Sequence, residues 1–270
     1  HTTHGYREDL LSIQQNYALC LRLRKCLTEV CLMYNYSGIK PEIIELLSVN
    51  RFNDSKAFYE EHKEELKQGA TVPMRQMVLD LSDVLCDLDP LMDTNPTYIV
   101  SRIRRDTRRT KSKLLYRENL WVMFRRNKFE YPFAPFYWFE FKPEGYAYGL
   151  GMWTGKPSQF DEVRKLIVSE PERWLAAVDS TKKAGLKYTT DEFYKKDKMP
   201  GAPEKLKKYL NAKHLVFCVW KNDIERIATT KIIDDLKKMI KKSAPMYQFL
   251  IEAYDKAFNE GIINADYYKR

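Results

Sequence analysis

The chain has 270 residues, of which 44% are hydrophobic and 13% aromatic, with a formal net charge of +9. That is ample apolar material for a packed core, and the apolar runs are short beside the roughly 20 residues that cross a bilayer, so no membrane span is expected. The opening residues lack the basic, apolar and small-residue regions of a signal peptide, and "HTTH" could be left by a tag. The five cysteines, Cys20, Cys26, Cys31, Cys86 and Cys218, are odd in number and contain no CxxC pair, which speaks against a disulfide framework and for reduced thiols in a cytoplasmic protein.

Residues 7–34 carry Leu10, Ile13, Tyr17, Cys20, Leu21, Leu27, Cys31 and Tyr34 at the spacing of an amphipathic helix, a separable unit spanning residues 1–36. Gly38 stops it and Pro41 starts the next helix through "PEIIELLSVN". A further helix follows an N-cap at Asn53, Asp54 or Ser55, and another places Met74, Met77, Val78, Leu81, Val84 and Leu85 on one face. From "PTYIVSRIR" the period changes to two, through "NLWVMFRR", "PFYWFEFKP" and "GYAYGLGMW". Lys142 to Gly145 make the tight turn of an antiparallel hairpin. Helices return after residue 156, with Pro171 starting the second of them. A basic, poorly patterned stretch over 182–203 then leads to a short helix, the strand "KHLVFCVW" and C-terminal helices. The expected fold is α+β, one domain over residues 37–270 with a mainly antiparallel sheet of about five strands flanked by N- and C-terminal helices.

The charge is concentrated. Residues 101–128 hold eleven Lys and Arg against two acids, Asp106 and Glu118, which accounts for the whole formal excess. Charge gathered in a tenth of the chain suggests a patch that attracts an anion, although solvated faces look the same in sequence.

The order of elements, with "SRIRRDTRRTKSKLLYREN" followed by "FYWFEFKPEGYAYGLGMW", resembles the bacterial family catalogued as domain of unknown function 2461. That family's pattern runs approximately R-I-x-R-D-x-R-F-x-x-D-K-x-P-Y and then an aromatic hairpin ending in G-G-G-M. The matching residues are Arg102, Ile103, Arg105, Asp106, Arg108, Lys113 and Tyr116, then Gly149, Gly151 and Met152. Arg109, Ser112, Leu115 and Leu150 depart from the pattern, and the resemblance covers about residues 37–258. It implies a fold and the place of a site, but no activity.

If the strand before the basic loop continues to Arg105, then Ile103 and Arg105 project from one face while Arg102 and Arg104 project from the other. Arg102, Arg105 and Arg108 are candidate bidentate donors to phosphate or carboxylate, with Lys113 as a mobile point charge. The structural alternative has Asp106 tie down Arg105 or Arg108 and organise the loop. Asp106 as a general base and Tyr116 as a proton donor are the catalytic candidates, although nearby arginines suit Asp106 better to orienting, and tyrosines of this kind are commonly buried. Tyr137, Phe139 and Phe141 share one face of their strand, and Trp138 and Glu140 the other. Gly149 and Gly151 leave one strand face bare, open to a ligand or to another backbone.

Neither His62 nor His214 is spaced with carboxylates as a metal site would be, and GxxxxGK[ST], GxGxxG and GxSxG are absent. No metal or cofactor is expected. The first functional expectation is binding of nucleic acid or another polyanion through the basic cluster. The rivals are an enzyme on a small phosphorylated or carboxylated substrate, and a complex-forming subunit that docks or self-associates through residues 7–34. Whether the protein is an enzyme stays open.

Overall fold

The computed structural model describes residues 36–108, 111–153 and 158–263. The helix expected over residues 7–34 lies outside them. The described elements run α1 (Pro41–Asn53), α2 (Lys56–Leu66), a π turn (Lys67–Thr71), α3 (Val72–Leu88), α4 (Pro96–Ile99), β1 (Leu120–Phe124), β2 (Phe136–Lys142) and β3 (Gly145–Met152). They continue with α5 (Gln159–Ser169), α6 (Pro171–Lys183), β4 (Lys187–Tyr188), α7 (Glu204–Leu210), β5 (Leu215–Lys221), a 3-10 turn (Ile224–Ala228) and α8 (Lys231–Asn259). The strands form one antiparallel sheet in the order β1-β2-β3-β5-β4, and with helices before and after it the fold is α+β. None of the described helices is long and apolar enough to cross a membrane.

Two strand expectations are revised. Pro96–Ile99 is a helical turn, because Asn95 caps it by accepting the Thr97 N–H at 3.0 Å while Pro96 supplies a preset helical φ at the first position. The chain beyond is extended only in isolated pairings, Val100 with Val122 and Arg104 with Tyr116. The fifth strand instead comes from the basic stretch: Lys187 and Tyr188 pair with Cys218 and Phe217. Two residues are too few to show an alternation.

The chain divides into two compact units, the first made of residues up to Phe124 with Glu140–Tyr146 and Lys221–Lys237. In this unit α2, the π turn and α3 follow without a break. Pro73 has no N–H to offer the carbonyl four residues back, and the Val72 N–H goes instead to Lys67 O, five residues back. Gly69 lies in that wide turn against Ile43 of α1, whose Cδ1 would stand 2.4 Å from any Cβ at position 69. The face of α3 read from sequence, Met74 to Leu85, is buried as expected. The start of the described chain locks onto the 3-10 turn. Tyr36 Oη donates to Ile227 O at 2.7 Å, and the Ile39 N–H donates to the same oxygen at 2.9 Å.

The second unit takes residues 125–139, 147–220 and 238 onward. Its core gathers Tyr137 and Phe139 of β2, Trp174 of α6, Phe217 of β5 and Tyr247, Phe249 and Leu250 of α8. Gly149 and Gly151 of β3 face the backbone of β5, since a Cβ on them would come within 2.2 Å of Phe217 O and 2.5 Å of Leu215 O. Arg164 of α5 is buried and fully bonded, donating to Leu210 O, Ala212 O and Asp161 Oδ1 at 2.6, 2.8 and 2.9 Å. It thereby ties α5 to the chain between α7 and β5.

Gly38 is a tight constraint in the first unit. Its φ is +85°, and a Cβ there would lie 2.2 Å from Ala228 O. Gly38→Ala is expected to cost roughly 2 to 5 kcal/mol from left-handed strain and backbone overlap together. A urea denaturation series that leaves the midpoint unchanged would show that this junction yields freely.

Candidate anion-binding face

The basic segment is shaped by a short antiparallel ladder. The Arg105 N–H donates to Leu115 O at 2.7 Å and the Arg117 N–H to Ile103 O at 3.0 Å, around the Arg104–Tyr116 pairing. Alternation then places Ile103, Arg105, Leu115 and Arg117 on one face and Arg104 and Tyr116 on the other. The ladder is anchored from the end of α1, where Asp54 Oδ1 accepts two consecutive amides, Leu115 N–H at 2.7 Å and Tyr116 N–H at 3.1 Å. Asp54 adopts φ +47°, a conformation that Asp tolerates better than most side chains.

On the Tyr116 face the tyrosine is buried and stacks on Tyr59 of α2 with ring centroids 4.7 Å apart. Burial pushes its hydroxyl above the ordinary tyrosine range, partly offset by the positive charge of Arg104, so it stays protonated at neutral pH.

The opposite face gathers two arginines. Nε of Arg105 and Nε of Arg117 are both buried, and among the described residues neither finds an acceptor. The Arg117 guanidinium lies 4.5 Å over the Trp121 ring of β1. Its pKa is lowered, first by burial and then by the charge of Arg105, so the two guanidiniums sense each other. Beside them Asn119 Nδ2 donates to Glu140 Oε1 of β2 at 2.6 Å. Among the described residues no carboxylate forms an ion pair with Arg105 or Arg117.

The other cations of the segment are placed differently. Arg102 is exposed. Arg108 forks onto Asp106, with Nε 2.9 Å from Oδ1 and Nη2 2.7 Å from Oδ2, and its side chain is 86% exposed. Asp106 also accepts the Arg108 N–H at 3.2 Å, so these two residues brace their own turn. Lys113 Nζ donates to Thr107 O at 3.2 Å and spans the loop. In the second unit Arg126 is buried against Asp255 of α8. Of the four cations singled out from sequence, Arg105 therefore meets a partner arginine that was not among them.

Arg117 and Asp54 carried no local signal. Arg117 becomes a neighbour of Arg105 only through the pairing register across the loop of residues 106–114, and Asp54 read as one of three N-cap candidates.

Residues 42–249 match the family described as conserved hypothetical protein DUF2461. The chain belongs to that family. No curated protein matches it. The matched DUF2461 region includes Asp54, the ladder and the arginine face, and also Gly149 and Gly151, whereas Tyr36 and Gly38 precede it.

The anchoring role of Asp54 is directly testable. Asp54→Ala leaves two amides without their charged acceptor and should cost about 2 to 3 kcal/mol, with faster hydrogen exchange at Leu115 and Tyr116. Asp54→Asn keeps an oxygen acceptor and should lose less. Equal exchange in wild type and both variants would count against the anchor.

Proposed function

We propose that this DUF2461 protein binds an oxyanion, a carboxylate or a phosphate, at the face formed by Arg105 and Arg117. The observation that carries this reading is the pair of neighbouring guanidiniums whose buried Nε atoms have no acceptor among the described residues. Burying like charges side by side is unfavourable for the fold, and a native structure keeps such an arrangement where something else repays it. An oxyanion would do so, because a planar guanidinium offers paired donors that match two oxygens. The stacking of Arg117 on Trp121 supports the reading further, since a fixed plane loses less entropy on binding.

The same geometry favours a compact anionic group over a strand of nucleic acid at this face. Arg104 projects from the opposite face of the ladder, and Arg108 is engaged by Asp106. The cations thus do not line one groove, which a tracked phosphate backbone would need. Asp106 serves this reading as the residue that orients Arg108, and Tyr116 as a buried support.

Calorimetric titration with inorganic phosphate and with simple carboxylates tests the proposal, alongside Arg105→Met and Arg117→Met. Each variant should lose about tenfold or more in affinity, the worth of a charge-assisted pair. Its denaturation midpoint should stay level or rise, because an unpaired, partly buried charge has been removed. A wild type that binds none of these anions, together with variants that lose stability, would mean that the two arginines serve the fold alone.

A further inference from the structure

A second cationic surface lies in the second unit, remote in sequence from the arginine face. Helices α6 and α8 pack side by side in opposite directions: Arg173 bonds Glu252, the Trp174 ring meets Phe249 at 5.1 Å, and Lys242 Nζ donates to Lys183 O at 3.4 Å. At the Arg173 end the charges cancel, with Glu170 and Glu252 both on that arginine. At the other end they do not. Exposed Lys182 and Lys183 close α6, and Lys238, Lys241 and Lys242 stand on the outer face of α8 at the i, i+3, i+4 spacing.

Part of this has a purely structural cause. The carbonyl end of α6 attracts cations, which accounts for Lys182, Lys183 and Lys242, and Asp179 pairs with the first two at 3.7 and 3.3 Å. Lys238 and Lys241 are left over. Among the described residues they form no ion pair, and no helix end requires them.

We propose that this lysine surface binds the phosphate backbone of a nucleic acid duplex without reading its sequence. Lysines act as point charges and lack the bidentate fork that selects one oxyanion geometry, which suits a repeating phosphate array. Their arrangement on two adjacent helices spreads the charge over a surface instead of converging it on one point. The exposed large apolar side chains of this unit, Phe129, Trp153, Val168, Phe193 and Trp220, lie on neither α6 nor α8. The surface therefore has no apolar anchor for a membrane and no aromatic platform for single-stranded bases, which leaves the duplex backbone as the matching polyanion.

Fluorescence anisotropy with a duplex of about 20 base pairs across a salt series tests this, since neutralising five or so phosphates predicts a log-log slope of roughly −4 to −5. Lys238→Glu with Lys241→Glu should flatten the slope by about two and weaken low-salt binding about tenfold or more, while Arg105→Met with Arg117→Met should leave duplex binding intact. Both lysines are exposed, so the double variant should remain folded. Wild-type binding no tighter than about 10⁻⁴ M, an unchanged slope in the lysine variant, or capture by anionic lipid vesicles but not by the duplex would each overturn the proposal.

Discussion

The Asp54 carboxylate, set just past the end of α1 and receiving the amides of Leu115 and Tyr116, determines where the most highly charged segment of this protein runs. A loop with so many like charges would otherwise spread apart in water. One oxygen accepting two consecutive N–H groups fixes the backbone of one strand of the ladder, and pairing then fixes the other. Alternation does the rest: once residues 103–105 and 115–117 are in register, Arg105 and Arg117 must share a face and Tyr116 must turn inward onto Tyr59. The candidate site is thus a consequence of backbone hydrogen bonding more than of any attraction between its own side chains, which repel.

The excess charge that stands out in the sequence resolves into distinct physical roles. Arg126 is consumed by the core through Asp255, and Arg108 by its neighbour Asp106 on the surface. An exposed pair such as the second contributes little to stability, so its value lies in shaping the turn. Arg105 and Arg117 differ from both, because they are partly desolvated with no acid to compensate them among the described residues. Net charge alone could not separate these cases; burial and partners do.

Much of the fold was legible from periodicity. The buried stripe of α3, the hairpin of β2 and β3 and the helix start at Pro41 follow from apolar spacing, a tight turn and a preset φ. The facing of Ile103 and Arg105 away from Arg104 was also legible, even though the preceding residues form the α4 turn, because two short extended pairings keep the alternation. What could not be read is non-local. The register that brings Arg117 to Arg105 depends on a hydrogen bond from a helix sixty residues earlier, and β4 is a strand only because β5 lies beside it. Asn95–Pro96 is different in kind: it is a local cap and first-turn signal, outweighed in the reading by the β-branched residues after it.

Arg164 supplies the internal standard against which the arginine face is judged. It is among the most deeply buried side chains of the protein, yet its guanidinium donates to two carbonyls and a carboxylate and lies 5.3 Å from the rings of Phe160 and Tyr194. That is how this fold treats an arginine it needs for structure: complete satisfaction in exchange for complete burial. Arg105 and Arg117 are less buried and less satisfied, in a chain that plainly has the means to do otherwise. Their donors are held in place by Trp121 and by the ladder, with neither full hydration nor a carboxylate among the described residues to balance them. Two cations kept ready in this way are more attractive to an incoming oxyanion than solvated ones, because part of their desolvation has already occurred during folding.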